Sequence, residues 1–256
     1  MKLIFFGASG AVPGPFDGNV SFAVTAAGTS ALIDVSGTPI QSLLRAGIDP
    51  LSLQAVILTH AHPDHVYAFP SLIHGLWLLA RRAPLCVAGP RTALEAARGL
   101  CAVFGLLERK GLFPIRWEEM GDGVVSPAGT MTIRLFPVDH SPDVATSGVR
   151  IEASGRRLVY SADTAPVPRV VEEARRAHTL IHEASGCAAA ERELNARGHS
   201  SARQAGDAAR LAGAARLYLC HFDRSSPPRP AALAREAREA FRGPVVVPRL
   251  LRPYGV

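Results

Sequence analysis

Short apolar runs alternate with amphipathic stretches along the whole chain. Near the start, "KLIFFG", "SFAVTAAG" and "TSALIDV" are bounded by Gly and Pro, as in "GASGAVPGPFDGN", and predict strands. "TPIQSLLRAG" predicts a short helix with Thr38 as cap, Pro39 in the first turn and Gly47 as stop. "AVILT" is apolar throughout, the pattern of a strand covered on both faces. "FPSLIHGLWLLARR" predicts a helix, "PLCVAG" a strand, and "RTALEAARGLCAVFGLLERKG" one long helix. The pattern then recurs. Strands "TIRLFPV", "GVRIEAS" and "RLVYSA" precede helix "PRVVEEARRA", strand "TLIHEA", helix "SARQAGDAARLAGA", strand "RLYLCHF", helix "PAALAREAREAFRG" and strand "VVVP". Interleaved strands and helices place the chain in the α/β class, with helices outside the sheets. Two halves of similar make-up predict a four-layer αβ/βα sandwich. With no linker-like or low-complexity stretch, the 256 residues fit a single domain over 1–256.

Composition changes this picture little. The chain is 48% hydrophobic and 20% charged, ordinary for a globular protein. A formal charge of +6 favours anionic partners, a small anionic molecule or a nucleic acid. The excess is almost all Arg, however, set on helices beside Glu as in "LAREAREAF", so no nucleic-acid patch stands out. Cys86, Cys101, Cys187 and Cys220 lie far apart without a C-x-x-C pair, which reads as buried free thiols in a reducing compartment. "MKLIFFGASG" is too short for a signal sequence, and "FPSLIHGLWLLA" too short to span a bilayer. A cytoplasmic protein with no membrane partner is expected.

The candidate chemistry sits in "LTHAHPDHV". His60 and His62 alternate in an extended segment, so their rings face the same way. Pro63 then turns the chain, and Asp64 and His65 follow where a helix or turn begins. Imidazole nitrogen with carboxylate oxygen suits zinc, and also iron or manganese. Remote partners lie at the carboxyl ends of predicted strands: His140 after "TIRLFPV", Asp163 after "RLVYSA" and His221 in "RLYLCHF". The seven divide between two ions: His60, His62 and His140 on one, Asp64, His65 and His221 on the other, with Asp163 bridging.

"HAHPDH" with the later His, Asp and His resembles the metallo-β-lactamase superfamily. "FFGASGAVPGPFDGNVSF", "LIDVSGT", "LVYSADT", "LIHEAS", "ARGHSSARQAG" and "LYLCHF" resemble ribonuclease Z motifs in the same order, over most of the chain. The resemblance implies the seven residues as ligands of two Zn2+ ions, with Mn2+ or Fe2+ as alternatives. It implies Glu183 and His199 as a pair beside the metals, and a homodimer. Histidine oriented by a carboxylate can protonate a departing alkoxide, so Asp64, Glu183 and His199 form the expected catalytic set. His74 and His182 read as packed histidines, with a rim role open for His74, and His178 as surface.

Two departures bear on substrate. Ribonuclease Z carries a long tRNA-gripping arm between the strands matching "GVRIEAS" and "RLVYSAD", where this chain has only "SGRR". "HFDRSS" also differs from the family's usual ending. Pocket walls are expected from "PGPFDGN", "FPSLIHGLW" and "DHSPDVATSG". The expectation is a two-metal hydrolase, a phosphodiesterase for a small or cyclic phosphodiester. The alternatives are a lactone, sulfate-ester or thioester hydrolase, a tRNA 3′-processing endoribonuclease, and a metal-binding member without catalysis.

Overall fold

The computed structural model describes residues 1–15, 17–122, 125–223 and 229–256, with backbone only at 125–127. Phe16 of the expected pocket wall, and most of the "DRSS" segment, lie outside the described residues.

Two seven-stranded mixed sheets stack face to face. The first holds β1 (Lys2–Gly7), β2 (Ser21–Ala26), β3 (Thr29–Ile33), β4 (Leu53–Ile57), β5 (Leu85–Gly89), β6 (Ile115–Glu119) and, on the far edge beside β1, β14 (Pro253–Gly255). The second runs β13 (Val245–Val246), β12 (Leu217–Cys220), β11 (Thr179–Glu183), β10 (Arg156–Tyr160), β9 (Ser147–Ala153), β8 (Met131–Pro137) and β7 (Val125–Ala128). Period-2 alternation sorts the side chains into layers. Leu3, Phe5, Phe22, Val24, Ile33 and Ile57 share a core cluster with Ile133, Leu135, Val149, Ile151, Leu158 and Tyr160 of the second sheet. Ring pairs cross the interface: Phe22 and Tyr160 meet edge-on at 5.1 Å, and Phe5 and Tyr218 lie 5.8 Å apart. The intervening residues Ile4, Ala23, Leu32, Val56 and Val87 pack outward onto the helical layer of α1 (Pro39–Arg45), α3 (Phe69–Leu78) and α4 (Arg91–Val103). The second sheet is covered by α5 (Pro168–Glu173), α7 (Ala202–Ala212) and α8 (Pro230–Ala240). This is the predicted αβ/βα order.

Several sequence expectations need correction. The long helix from Arg91 stops at Val103, because Gly105 takes a left-handed φ of +56° and leads the chain away. Helix α3 stops at Leu78 and does not reach Arg82. Ala80 turns left-handed, and the Arg81 guanidinium folds back onto the carbonyls of Leu51, Leu53, Ala83 and Pro84. Thr38 stands at the start of α1, but its hydroxyl donates to Gln41 and caps no backbone N–H. His178 is half-buried and accepts a hydrogen bond from Arg157 N, so it is not a free surface residue. Strands β6, β7 and β14 and helix α6 (Glu191–Ala196) carry no clear signal in the sequence. None of the four cysteines forms a disulfide; Cys187 is half-buried and the others are buried.

Between β9 and β10 the connection is a two-residue turn: Ala153 pairs with Arg156, and Ser154 and Gly155 both have positive φ. That geometry is a tight type I′-like hairpin. No arm leaves the sheet here. Among the described residues no helix is long and apolar enough to cross a membrane.

Candidate metal centre

The parallel strands β3, β4, β10, β11 and β12 deliver the polar residues where they end. β4 runs into Thr59 and His60, and a proline-started turn of helix, α2 (Pro63–Val66), presents Asp64 and His65. β10 leads to Asp163, β12 to His221 and β3 to Asp34. Asp34, Ala162 and His221 all hold φ between +53° and +56°. Left-handed backbone at non-glycine residues costs about 1–2 kcal/mol each and concentrates at functional sites.

The seven expected ligands converge. His62 Nδ1 lies 3.0 Å from His60 Nε2 and 3.0 Å from His140 Nε2. Asp163 Oδ2 sits between the two sets: 3.8 and 3.9 Å from the Nε2 atoms of His60 and His140, 3.5 and 2.9 Å from those of His65 and His221. Asp64 Oδ2 lies 3.5 Å from His65 Nε2 and 3.8 Å from His221 Nε2. Donor atoms bound at about 2.0–2.3 Å to one tetrahedral cation stand roughly 3.3–3.7 Å apart, and the donors of each trio lie within 4.8 Å of one another, close enough for one ion to gather.

The outer nitrogens fix which inner ones carry lone pairs. His140 Nδ1 donates to Gly198 O at 3.0 Å, and His65 Nδ1 meets Asp34 Oδ2 at 2.7 Å. His60 Nδ1 faces Thr59 Oγ1, and His221 Nδ1 faces Ser185 Oγ, both at 3.0 Å. Partners of this kind orient metal-binding imidazoles. Asp34, itself fully buried, also accepts from Thr59 N at 2.8 Å and from the Thr59 hydroxyl.

The donor set fits divalent cations. His65 Nε2 and Asp163 Oδ1 are buried without any hydrogen-bond partner, and an unmet buried polar atom costs about 1–3 kcal/mol. Divalent cations held by these residues would supply such missing partners. Titration points the same way, with protons standing in for metal charge. Burial opposes a cation at His65 and His221, yet the Asp163 carboxylate outweighs it, holding His65 well above the usual imidazole range and pushing His221 up to about 10. Burial works to raise Asp163, and the His221 and His65 charges hold it well below the usual carboxylate range. Burial pushes His60 and His62 down, leaving neutral imidazoles.

Residues 30–222 match the Beta-lactamase superfamily domain. The chain belongs to the β-lactamase superfamily. As a member of its ribonuclease Z-like, metal-dependent branch it is a hydrolase. It is 30% identical over 194 residues to a ribonuclease Z of Mycobacterium marinum, covering 71% of this chain and 70% of the relative. With a ribonuclease Z of Myxococcus xanthus it shares 29% identity, covering 96% of this chain and 95% of that one. That alignment spans 296 positions against 256 residues here, so at least 40 positions belong to the relative alone. In fold, the metallo-β-lactamase fold protein YhfI from Bacillus subtilis superposes with a TM-score of 0.82 at 23% identity, covering 99% of both chains.

Within the superfamily frame, Glu183 and His199 stand against the metal cluster. His199 Nδ1 lies 3.1 Å from Glu183 Oε1, and its ring sits 4.8 Å from that of His140 and 5.2 Å from that of His221. The Glu183 carboxylate also accepts from Thr164 N at 2.5 Å, Ser200 N at 3.1 Å and the Ser185 hydroxyl at 2.8 Å. Burial lowers His199, but the Glu183 carboxylate overrides it and holds the imidazole above its ordinary value. His74 stays outside the cluster, stacked on Trp77 and bonded to Arg109. His182 is buried on the other face of β11. Sequence reasoning missed three supporting residues: Asp34, Thr59 and Ser185. The signal for Asp34 was an acid at the end of the apolar run "ALI". The other two carry no signal apart from adjacency to His60 and Glu183.

Proposed function

We propose that this chain, as one domain over 1–256, is a phosphodiesterase for a small or cyclic phosphodiester, with His60, His62, Asp64, His65, His140, Asp163 and His221 holding two Zn2+ ions. The observation that carries the reading is the Glu183–His199 pair abutting both trios. An acid positioned there serves a leaving group that departs as an alkoxide, as in a phosphodiester. When bound, divalent cations supply Lewis-acid stabilisation of the phosphoryl oxygens and a water acidified towards neutral pKa. Asp64, a partly exposed carboxylate of the cluster, accepts a hydrogen bond from the attacking water and aims it at phosphorus. As the new P–O bond forms and the opposite one breaks, His199 Nε2 passes its proton to the departing oxygen. Glu183 keeps Nδ1–H in place and stabilises the imidazolium before the transfer.

The two-residue β9–β10 turn argues for a small substrate over tRNA. The relatives' name, ribonuclease Z, is what favours tRNA 3′-processing as the second reading. Exposed Leu78, Leu79, Val103 and Phe104, at the C-terminal ends of the packed helices α3 and α4, support a homodimer. The test is a panel of bis-aryl and ribosyl cyclic phosphodiesters, a lactone, an aryl sulfate, a thioester and a precursor tRNA, given to the zinc-loaded protein and to His199→Ala. The reading expects phosphodiester turnover, reduced about 10²–10⁴-fold in the variant. Preferred turnover of the lactone, sulfate or thioester overturns it. Cleavage of precursor tRNA at a rate matching the small esters replaces it with the second reading.

A further inference from the structure

Behind the catalytic pair lies a second concavity, on the outer face of the second sheet. Strand β11 alternates, so Glu183 and its predecessor His182 face opposite ways. Between α5 and α7 a groove of about 710 Å³ opens onto His182 and Ser200, within the size range of sites for small organic molecules. Its walls are apolar: Pro166, Val167, Val171, Ala208 and Leu211. Glu172 and Asp207 stand at its edge. Leu211 of α7 is 63% exposed and contributes to the apolar wall.

One polar group gives the groove its chemistry. His182 is 2% exposed. Its Nδ1 lies 2.8 Å from Glu183 O, a carbonyl that can only accept, so Nδ1 carries the hydrogen. Burial lowers the imidazole below its ordinary value, so the ring is neutral and Nε2 holds a lone pair. Among the described residues no hydrogen bond engages that Nε2. An accepting nitrogen in a nearly buried ring that lines an apolar groove is a specificity element without a ligand. Gln204 and Arg210 also line the groove, and Arg210 is paired with Asp207 at 2.9 Å, so much of the charge on its rim is already matched.

We propose that the α5–α7 groove is a second small-molecule site for a flat, apolar, uncharged molecule ending in one N–H donor, read by His182 Nε2. An occupant touches His182 and Ser200, the chain neighbours of Glu183 and His199, and Ser200 N also donates to Glu183. It therefore bears on the back wall of the catalytic pair without entering the metal centre.

Indole serves as the probe and benzofuran as its isostere lacking the N–H, with binding to the metal-loaded full chain followed by ligand-observed NMR titration. The proposal expects saturable indole binding in roughly the millimolar range or tighter, with benzofuran about fivefold to tenfold weaker. His182→Leu should bind the two equally. Should that core variant misfold, Val171→Trp fills the groove from its half-buried wall and should lose indole at least about tenfold while keeping its fold by circular dichroism. The site is overturned by equal binding of indole and benzofuran to the wild type, by wild-type indole affinity in folded Val171→Trp, or by no saturable indole binding at millimolar concentration. None of these outcomes depends on phosphodiesterase turnover.

Discussion

Gly198 is the position where a single methyl group tests how the site is held. Its φ is +73°, and a Cβ there would lie 2.7 Å from His140 Cα and nearer still to the His140 carbonyl. Carbon atoms in contact rest about 3.5–4.0 Å apart, so the Gly198 and His140 backbones must part by about 1 Å or more. The bond from His140 Nδ1 to Gly198 O, 3.0 Å in the native site, spans the same gap, and His199 is the next residue. Gly198→Ala thus displaces a proposed ligand and the proposed acid together. The left-handed backbone costs about 1–2 kcal/mol for alanine, and overpacking about 1–3 kcal/mol. The sum is about 2–5 kcal/mol, or roughly 4–20 °C in Tm for a domain of this size. A misplacement near 1 Å costs about 10²-fold in rate. The assay pairs thermal unfolding with kcat on a chromogenic phosphodiester, measured well below the variant's Tm. Wild-type kcat in a folded Gly198→Ala protein would show that neither His140 nor His199 needs its present position, and the reasoning fails.

Asp34→Asn leaves the His65 Nδ1 and Thr59 contacts with a neutral partner in a fully buried place, and should weaken zinc retention about 10–100-fold in chelator competition; unchanged retention refutes its positioning role. The rate should depend on His199 staying protonated. Since Glu183 holds that imidazole above its ordinary 6.5, the acid form is complete below that pH and is lost as pH rises through the folded value. Glu183→Gln should move the alkaline fall of kcat to lower pH, and a fall that does not move removes Glu183 from that role.

How far the sequence reveals this site depends on whether the information is local. "HAHPDH" concentrates donors within one turn and strand end, so its chemistry is visible without a fold. His140, Asp163 and His221 are visible because each follows an apolar run that can only be a buried strand. Asp34 is different: it matters because β3 pairs with β4, Ile33 opposite Ile57, which carries it beside Thr59 and His65. Gly198 likewise gains its role from His140, 58 residues away. The helix from Arg91 misleads because "FGLLERKG" keeps an amphipathic period after Gly105 has already turned the chain. Strand β14 has no periodicity of its own and exists through its ladder with β1.

Metal content read beside turnover tests the central claim most directly. Purified protein, its His140→Ala and Asp163→Ala variants, and His199→Ala should be assayed in parallel for bound transition metal and phosphodiester hydrolysis. The account predicts two equivalents per wild-type chain, fewer in the first two variants, and both ions retained by His199→Ala while its hydrolysis collapses. Wild-type protein that binds no transition metal after zinc loading, or His140→Ala and Asp163→Ala proteins that keep the full complement, would contradict it.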